Sequence, residues 1–478
     1  MVFRSILEKL IYHDEYSKID ANLSDANVGA RKGRNIRDNL FVVHAITNSI
    51  KRGSEEAVDI CAYDAEKCFD ALWTYECIND LYEAGLQNDR LTLLFKMNQS
   101  AQVAIKTPHG ITERVSILNI IMQGTTWGSL FCTTTMDKLP QKIYKDTSLL
   151  YMYKGLVSVP PLEMVDDILT VEKCGLTALA MNAEVNSFIE QKKLKLSKEK
   201  CVQIHVGKKC ETCEKLYVHG EYMKEAHEVK YLGDYIHVNG KPSSTIGHRV
   251  KRGYAIVAQI FALLSDLPVG NLRVEIGLAL RQAWLINGIL FNSEVWHSVS
   301  SGQIEQLVTI DKYLLRGLVG SHAKAPLEHL YLETAALPIT YVLSVRRMIY
   351  LQTILKRSDD EITKRVYQAQ KNNPSPGDWC ELVGQDFKEM GIHMSDDHIA
   401  GMPSEDYKKY IKETVHEKAF QDLQKIKNCH SKVKENVYSN MKHPQTYFTN
   451  KNISYRQSSI IFALRSRTLR GIQIISRK

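Results

Sequence analysis

Leu162-Glu163-Met164-Val165-Asp166-Asp167-Ile168-Leu169-Thr170-Val171 sets two short apolar, β-prone runs on either side of a pair of adjacent aspartates. The pattern predicts a hairpin whose tight turn carries both carboxylates. A turn that needed only positive φ would more often use Asn-Gly or Asp-Gly. Neighbouring carboxylates repel each other, and a cation shared with a further acid relieves that repulsion. Read alone, the stretch is accounted for equally well as a solvated turn.

A further acid lies upstream. Ala57-Val58-Asp59-Ile60-Cys61-Ala62-Tyr63 alternates as a strand does and leads into Asp64-Ala65-Glu66-Lys67-Cys68-Phe69-Asp70, after which Ala71 to Gly85 reads as a helix. Asp64 is therefore expected at the C-terminal end of a strand. Asp70, just before the helical run, is expected to cap it. If the Asp64 strand and the Asp166-Asp167 hairpin are neighbours, three carboxylates converge, which is the donor set of a two-metal site.

Together with Gln123-Gly124-Thr125-Thr126-Trp127-Gly128-Ser129, these pieces resemble, in order and distance, the successive palm motifs of reverse transcriptases, most closely those of non-LTR retrotransposons. The resemblance covers most of the chain. It implies an α+β right-hand polymerase: partial fingers over 1–56, a palm with an antiparallel sheet over 57–240, a helical thumb over 241–370 and a helical, basic C-terminal region over 371–478. It also implies RNA-directed DNA synthesis, extending a DNA primer on an RNA template with dNTPs. Asp64, Asp166 and Asp167 would then hold two Mg²⁺ ions, with Mn²⁺ as a substitute.

Other residues acquire roles from the same resemblance. Asn27 to Asn39 is a basic loop in which Gly29 and Gly33 bracket Arg31 and Lys32, so backbone and side chains can approach a triphosphate together. The resemblance assigns the phosphate clamp to Arg31 first and Lys32 second. Phe69 reads either as a core aromatic or, by resemblance, as the ring that crowds the sugar 2′ position and refuses ribonucleotides. Gln123 and Gly124 open a helix expected over Thr126 to Leu139, where backbone N–H groups and an amide can meet a nucleotide. Many relatives carry Ser-Pro after Gly, where this chain has Gly128-Ser129-Leu130. Lys200 falls where the family places the lysine that protonates the leaving pyrophosphate, and it also reads as one surface lysine among several.

Val229 to Ile236 resembles the next hairpin of the family, which grips the primer. Beyond Gly240 the pattern turns helical, with long amphipathic segments over Ser244 to Leu264, Asn271 to Trp296, Ile304 to Val319 and Tyr331 to Leu355. Asn372-Asn373-Pro374-Ser375-Pro376-Gly377-Asp378 is the clearest linker.

At 478 residues the chain exceeds a single core, so two or three domains are expected. No apolar run approaches the roughly 20 residues of a spanning helix, which predicts an intracellular protein without a membrane partner. A nuclear site follows only by analogy with retroelements. The net charge of +8 is mild, but Lys192, Lys193, Lys195, Lys198, Lys200, Lys208 and Lys209 cluster, as do Arg465, Arg467, Arg470, Arg477 and Lys478. Such clusters suit a phosphate backbone or a solvated face. The ten cysteines lack the spacing of a disulfide framework. Cys210 and Cys213, with His219 and His227, fit no common zinc finger, and a hairpin with incidental cysteines is the better reading. The rival to an active polymerase is a truncated copy, without an endonuclease domain, that binds nucleic acid and does not polymerise.

Overall fold

The computed structural model describes residues 2–53, 56–98, 102–116, 125–173, 175–208, 215–267, 271–321, 324–431, 433–450 and 452–468. Two compact units emerge. The first joins Met1–Lys241 to Ser358–Asp378, and the second joins Pro242–Arg357 to Trp379–Lys478.

At the centre of the first unit is one sheet of β1 (Val58–Asp64), β2 (Leu162–Met164), β3 (Asp167–Lys173), β4 (Val202–Val206) and β5 (Lys224–Glu225). Their order is β5-β4-β1-β3-β2, and only the β4–β5 pairing is parallel. The central strands β1 and β3 are buried along nearly their whole length, as strands covered on both faces are.

Four helices position this sheet: α1 (Val2–Ala21), α2 (Ile36–Lys51), α3 (Gly128–Met136) and α4 (Leu176–Gln191). Cys61 and Tyr63 of β1 join Phe131 and Met136 of α3 and Met181, Val185 and Phe188 of α4 in one apolar cluster. The Tyr63 hydroxyl, buried in that layer, accepts from Asn182 Nδ2 at 3.1 Å. Helix α2 lies against β2 and β4 and is buried from Asp38 to Ile50. It starts inside the basic loop, where Asn35 and Asp38 form a reciprocal capping box.

The outer edge of β2 is not left open. Glu163 N donates to Ala26 O and Val28 N to Glu163 O, both at 3.0 Å, so the start of the basic loop runs beside β2 as an extra edge.

The segment 358–370, placed by the resemblance in the thumb, belongs to the first unit. Its helix, Ile362–Asn372, packs on α2 and on the strand Val157–Val159. The return is pinned by polar contacts: Ile362 N donates to Asp25 Oδ2 at 2.6 Å, and the buried Lys154 ammonium lies 2.8 Å from Asp378 Oδ2. The expected linker is thus the place where the chain leaves the first unit for the second time.

The second unit is helical. Ser243–Ser265 and Ser301–Val319 follow the amphipathic pattern closely, the latter opened by a Ser300–Gln303 capping box and closed by Gly320 at φ 64°. Asn271 to Trp296 is not one α-helix: Asn271–Leu280 widens into a π-helical turn at Arg281–Ile286, and Asn292 at φ 63° ends the run. In the widened turn the Arg281 guanidinium reaches the buried Asp311 carboxylate in a bidentate pair of 2.6 and 2.7 Å. Tyr331 to Leu355 is likewise split into Leu327–Thr334 and Ile339–Leu355, by Ala335 at φ 52° and by Pro338. Among the described residues no helix is long and apolar enough to cross a membrane.

Candidate active site

Asp64 is the last residue of β1 and Asp167 the first of β3, and the register of the two antiparallel strands sets them directly opposite each other. Met164 pairs with Asp167, so the hairpin turn consists of Val165 and Asp166 alone. This differs from a turn carrying both carboxylates: one aspartate sits in the turn and the other begins the returning strand. The strand period explains it, since Asp167 must share a sheet face with Asp64. Val165 takes φ 61°, a left-handed conformation that β-branched residues rarely adopt.

The electrostatics follow from this crowding. Desolvation by surrounding protein, and then the charge of Asp64, push the Asp166 carboxyl up. Asp167 keeps contact with solvent at the rim of the site. The protein packed around it, with the charges of Asp166 and Asp64, still pushes its carboxyl up to about 6, against the opposing pull of Lys200.

Lys200 arrives through backbone pairing. The edge of β1 continues past Asp64, where Ser197 N donates to Asp64 O and Glu66 N to Lys195 O, both at 2.8 Å. The turn that follows brings Lys200 Nζ to 3.0 Å from Asp64 Oδ2. The hydrogen bond to Asp64 and the charge of that carboxylate raise the Lys200 pKa.

Structure and expectation diverge at the basic loop. Arg31 was expected to clamp phosphates, but its guanidinium is buried and turned inward, 2.6 Å from Asp20 Oδ1 and donating to the carbonyls of Asn27, Ser24 and Asp20. Its four hydrogen bonds go to the end of α1 and to the chain that follows it. Lys32, the second candidate, is exposed, with Nζ 4.9 Å from the Tyr16 ring centroid and its backbone N–H bonded to the Tyr16 hydroxyl.

Phe69 is half-buried in the short helix Cys68–Ala71, packed against the main apolar cluster. Asp70 does not cap a helix. It lies within that turn, whose N-cap position is Lys67 at φ 47°, and the longer helix begins only at Thr74. Gln123 and Gly124, like Cys210 and Cys213, lie outside the described residues. His219 is engaged with the backbone of Leu196, its Nε2 3.2 Å from Leu196 N and 3.1 Å from Leu196 O.

Asp64, Asp166, Asp167 and Lys200 therefore come together. The three carboxylates offer only hard oxygen donors, and the charge of Asp64 raises the proton affinity of Asp166 and Asp167, which fits a divalent cation such as Mg²⁺. Among the described residues no three His, Cys, Asp or Glu side chains already stand in ligating geometry, and Lys200 now meets the Asp64 charge.

Sequence reasoning passed over Glu163 and Asn27. Glu163, three residues before Asp166, is fully buried, and its Oε2 accepts from the equally buried Asn27 Nδ2 at 2.8 Å. No local pattern marks it, because the loop that runs beside β2 is what buries the acid.

An antiparallel sheet with opposed aspartates at a strand end and a hairpin turn, flanked by helices and followed by a helical unit, defines the α+β right-hand polymerase class. Residues 4–236 match the family described as reverse transcriptase (RNA-dependent DNA polymerase), and the chain carries a reverse transcriptase domain. No curated protein sequence matches the chain. Among solved structures it is similar to apo telomerase from Candida tropicalis, at 11% identity over 75% of this chain and 61% of that one, with a TM-score of 0.39. It is also similar to telomerase from Candida albicans in complex with a fragment of telomeric RNA, at 12% identity over 80% and 57% of the two chains, with a TM-score of 0.35. The chain spans about half the length of such structures, from 44% to 61%.

Proposed function

We infer that this protein is an RNA-directed DNA polymerase of the non-LTR retrotransposon type, extending a DNA primer on an RNA template with dNTPs. The observation that carries this reading is the register of β1 and β3, which opposes Asp64 to Asp167 with Asp166 in the adjoining turn.

Asp64, Asp166 and Asp167 would hold the divalent ions. When bound, such ions acidify the primer 3′-hydroxyl and neutralise the triphosphate. Lys200 keeps a proton on Nζ beside Asp64, where it can be given to the departing pyrophosphate. Lys32 presents an exposed ammonium for the phosphates, Phe69 bars the ribose 2′-hydroxyl, and Gln123 and Gly124 line the nucleotide by family resemblance. The labels fingers, palm and thumb go with the same reading.

The test is extension of an oligo(dT) primer on poly(rA) with Mg²⁺ and dTTP, run beside Asp166→Ala. Extension by the parent chain and not by the variant supports the assignment, and equal extension by both ends it. One observation favours a second reading, a nucleic-acid-binding protein that does not polymerise: Lys200 already meets the charge of Asp64. Duplex binding without extension, under Mg²⁺ or Mn²⁺, would select it.

A further inference from the structure

Val165 poses a physical question. A β-branched residue at φ 61° carries a backbone cost on the order of 1–3 kcal/mol, and such a conformation persists only where the surroundings impose it. The chain could have placed Gly there, as two-residue turns with positive φ prefer. The surroundings must therefore be rigid.

They are built from the loop before α2. Gly29 lies so close to the turn that a Cβ on it would stand 2.4 Å from Val165 N and 2.8 Å from Val165 Cγ2. Gly29 is itself held at both ends, its N–H donating to Asn27 Oδ1 at 3.0 Å and its carbonyl accepting from Thr133 Oγ1 at 3.1 Å. Asn27 is the hub, since its Nδ2 donates to Glu163 Oε2 at 2.8 Å and to Thr133 O at 3.3 Å. Glu163 closes the circuit through its backbone bonds to Ala26 and Val28 and through Asn39 Nδ2, which donates to Glu163 O at 2.9 Å.

We propose that Glu163 and Asn27 are positioning residues for the acidic turn, holding Gly29 against Val165 so that Val165 stays left-handed and Asp166 is presented beside Asp64 and Asp167. Neither residue touches the reacting atoms. The assignment of the turn as a metal site rests on the polymerase reading above, while the mechanical role of the two residues does not.

The network makes the roles separable. Glu163→Gln keeps an oxygen for Asn27 Nδ2, whereas Glu163→Ala leaves a fully buried amide short of an acceptor and frees Gly29 to drift. Val165→Gly adopts positive φ without external support. If Glu163 acts by imposing that φ, Val165→Gly repairs its loss. If Glu163 merely stabilises the fold, it does not.

The experiment titrates Mn²⁺ into the full chain, following the free ion by electron paramagnetic resonance, beside oligo(dT) extension and thermal melting. Glu163→Ala is expected to weaken Mn²⁺ binding at least fivefold and to lower kcat at least tenfold, with KM for dTTP within twofold of the parent. Glu163→Gln should match the parent, and Glu163→Ala with Val165→Gly should return Mn²⁺ affinity to within twofold. Parental Mn²⁺ affinity in Glu163→Ala, or a loss that Val165→Gly does not recover, overturns the proposal. Should Glu163→Ala fail to fold, Asn27→Ser cuts the same link and must show the same loss and recovery. A parent that extends no primer, with the Mn²⁺ effects intact, would end the polymerase reading and leave this one standing.

Discussion

Lys200 Nζ stands 3.0 Å from Asp64 Oδ2 and 3.2 Å from Asp64 Oδ1, so the first acid of the site is already paired with an ammonium. On the proposed reading, a divalent ion would compete with that ammonium for Asp64. Lys200→Met is therefore expected to act in opposite directions on two quantities. If Lys200 is the proton donor as proposed, nucleotide incorporation, measured by rapid quench, should fall about 10²-fold. Mn²⁺ affinity should rise severalfold.

Asp167 gives a pH signature. Its carboxyl is raised from 3.8 to about 6, so the folded chain holds this proton more tightly than the unfolded chain does. The contribution of this carboxyl to stability is then fullest at low pH, declines as pH rises from about 4 to about 6, and levels off above. At pH 7.5 without divalent ions, Asp167→Asn should melt about 2–4 °C above the parent. The difference should vanish below pH 4. Added Mn²⁺ should raise the melting temperature of the parent more than that of the variant.

Arg31 and Lys32 should separate cleanly. Arg31→Ala removes a buried guanidinium from Asp20 and three carbonyls, so it should lower the melting temperature by several degrees. Lys32→Ala should leave melting nearly unchanged and raise KM for dTTP. Steady-state extension and calorimetry on the two variants check the pair, and a folded Arg31→Ala with only a raised KM would return the phosphate role to Arg31.

In the second unit, Asp311→Ala strands the Arg281 guanidinium, which is buried with Asp311 and, among the described residues, bonded elsewhere only to Leu337 O. Urea unfolding should show a loss of roughly 3–5 kcal/mol, the cost of an uncompensated buried charge. Arg281→Met combined with Asp311→Leu should recover much of it.

Much of the first unit was legible in the sequence because alternation carries the information. The period-two patterns around Asp64 and after Asp167 mark two strands, and Leu232 and Gly233 mark the turn of a later hairpin, where their φ values are 45° and 90°. What alternation cannot convey is direction. Arg31 in a basic loop looks the same whether its guanidinium meets phosphates or carbonyls, and it turned inward because Asp20 and three carbonyls needed donors. Asp70 resembled a cap because it precedes a helical pattern, but Lys67 opens a separate short turn first. Glu163 was hidden for the converse reason: an acid in a short edge strand reads as outward-facing, and only the loop over β2 buries it.

The helix Ile362–Asn372 was out of reach by another route. Its pattern is amphipathic, like its neighbours, and nothing local says which apolar layer it completes. The partner, α2, lies more than three hundred residues earlier in the chain.

That helix also dictates an order of assembly. The first unit needs Ser358–Asp378, and residues 242–357 of the second unit intervene. As the chain leaves the ribosome, the central sheet can form early, but the layer over α2 stays unfilled until Asp378 has emerged to meet Lys154. The unit that begins first is finished only after the first stretch of another, Pro242–Arg357, has been synthesised, so a polypeptide stopped at Lys241 is an incomplete domain and not a minimal one.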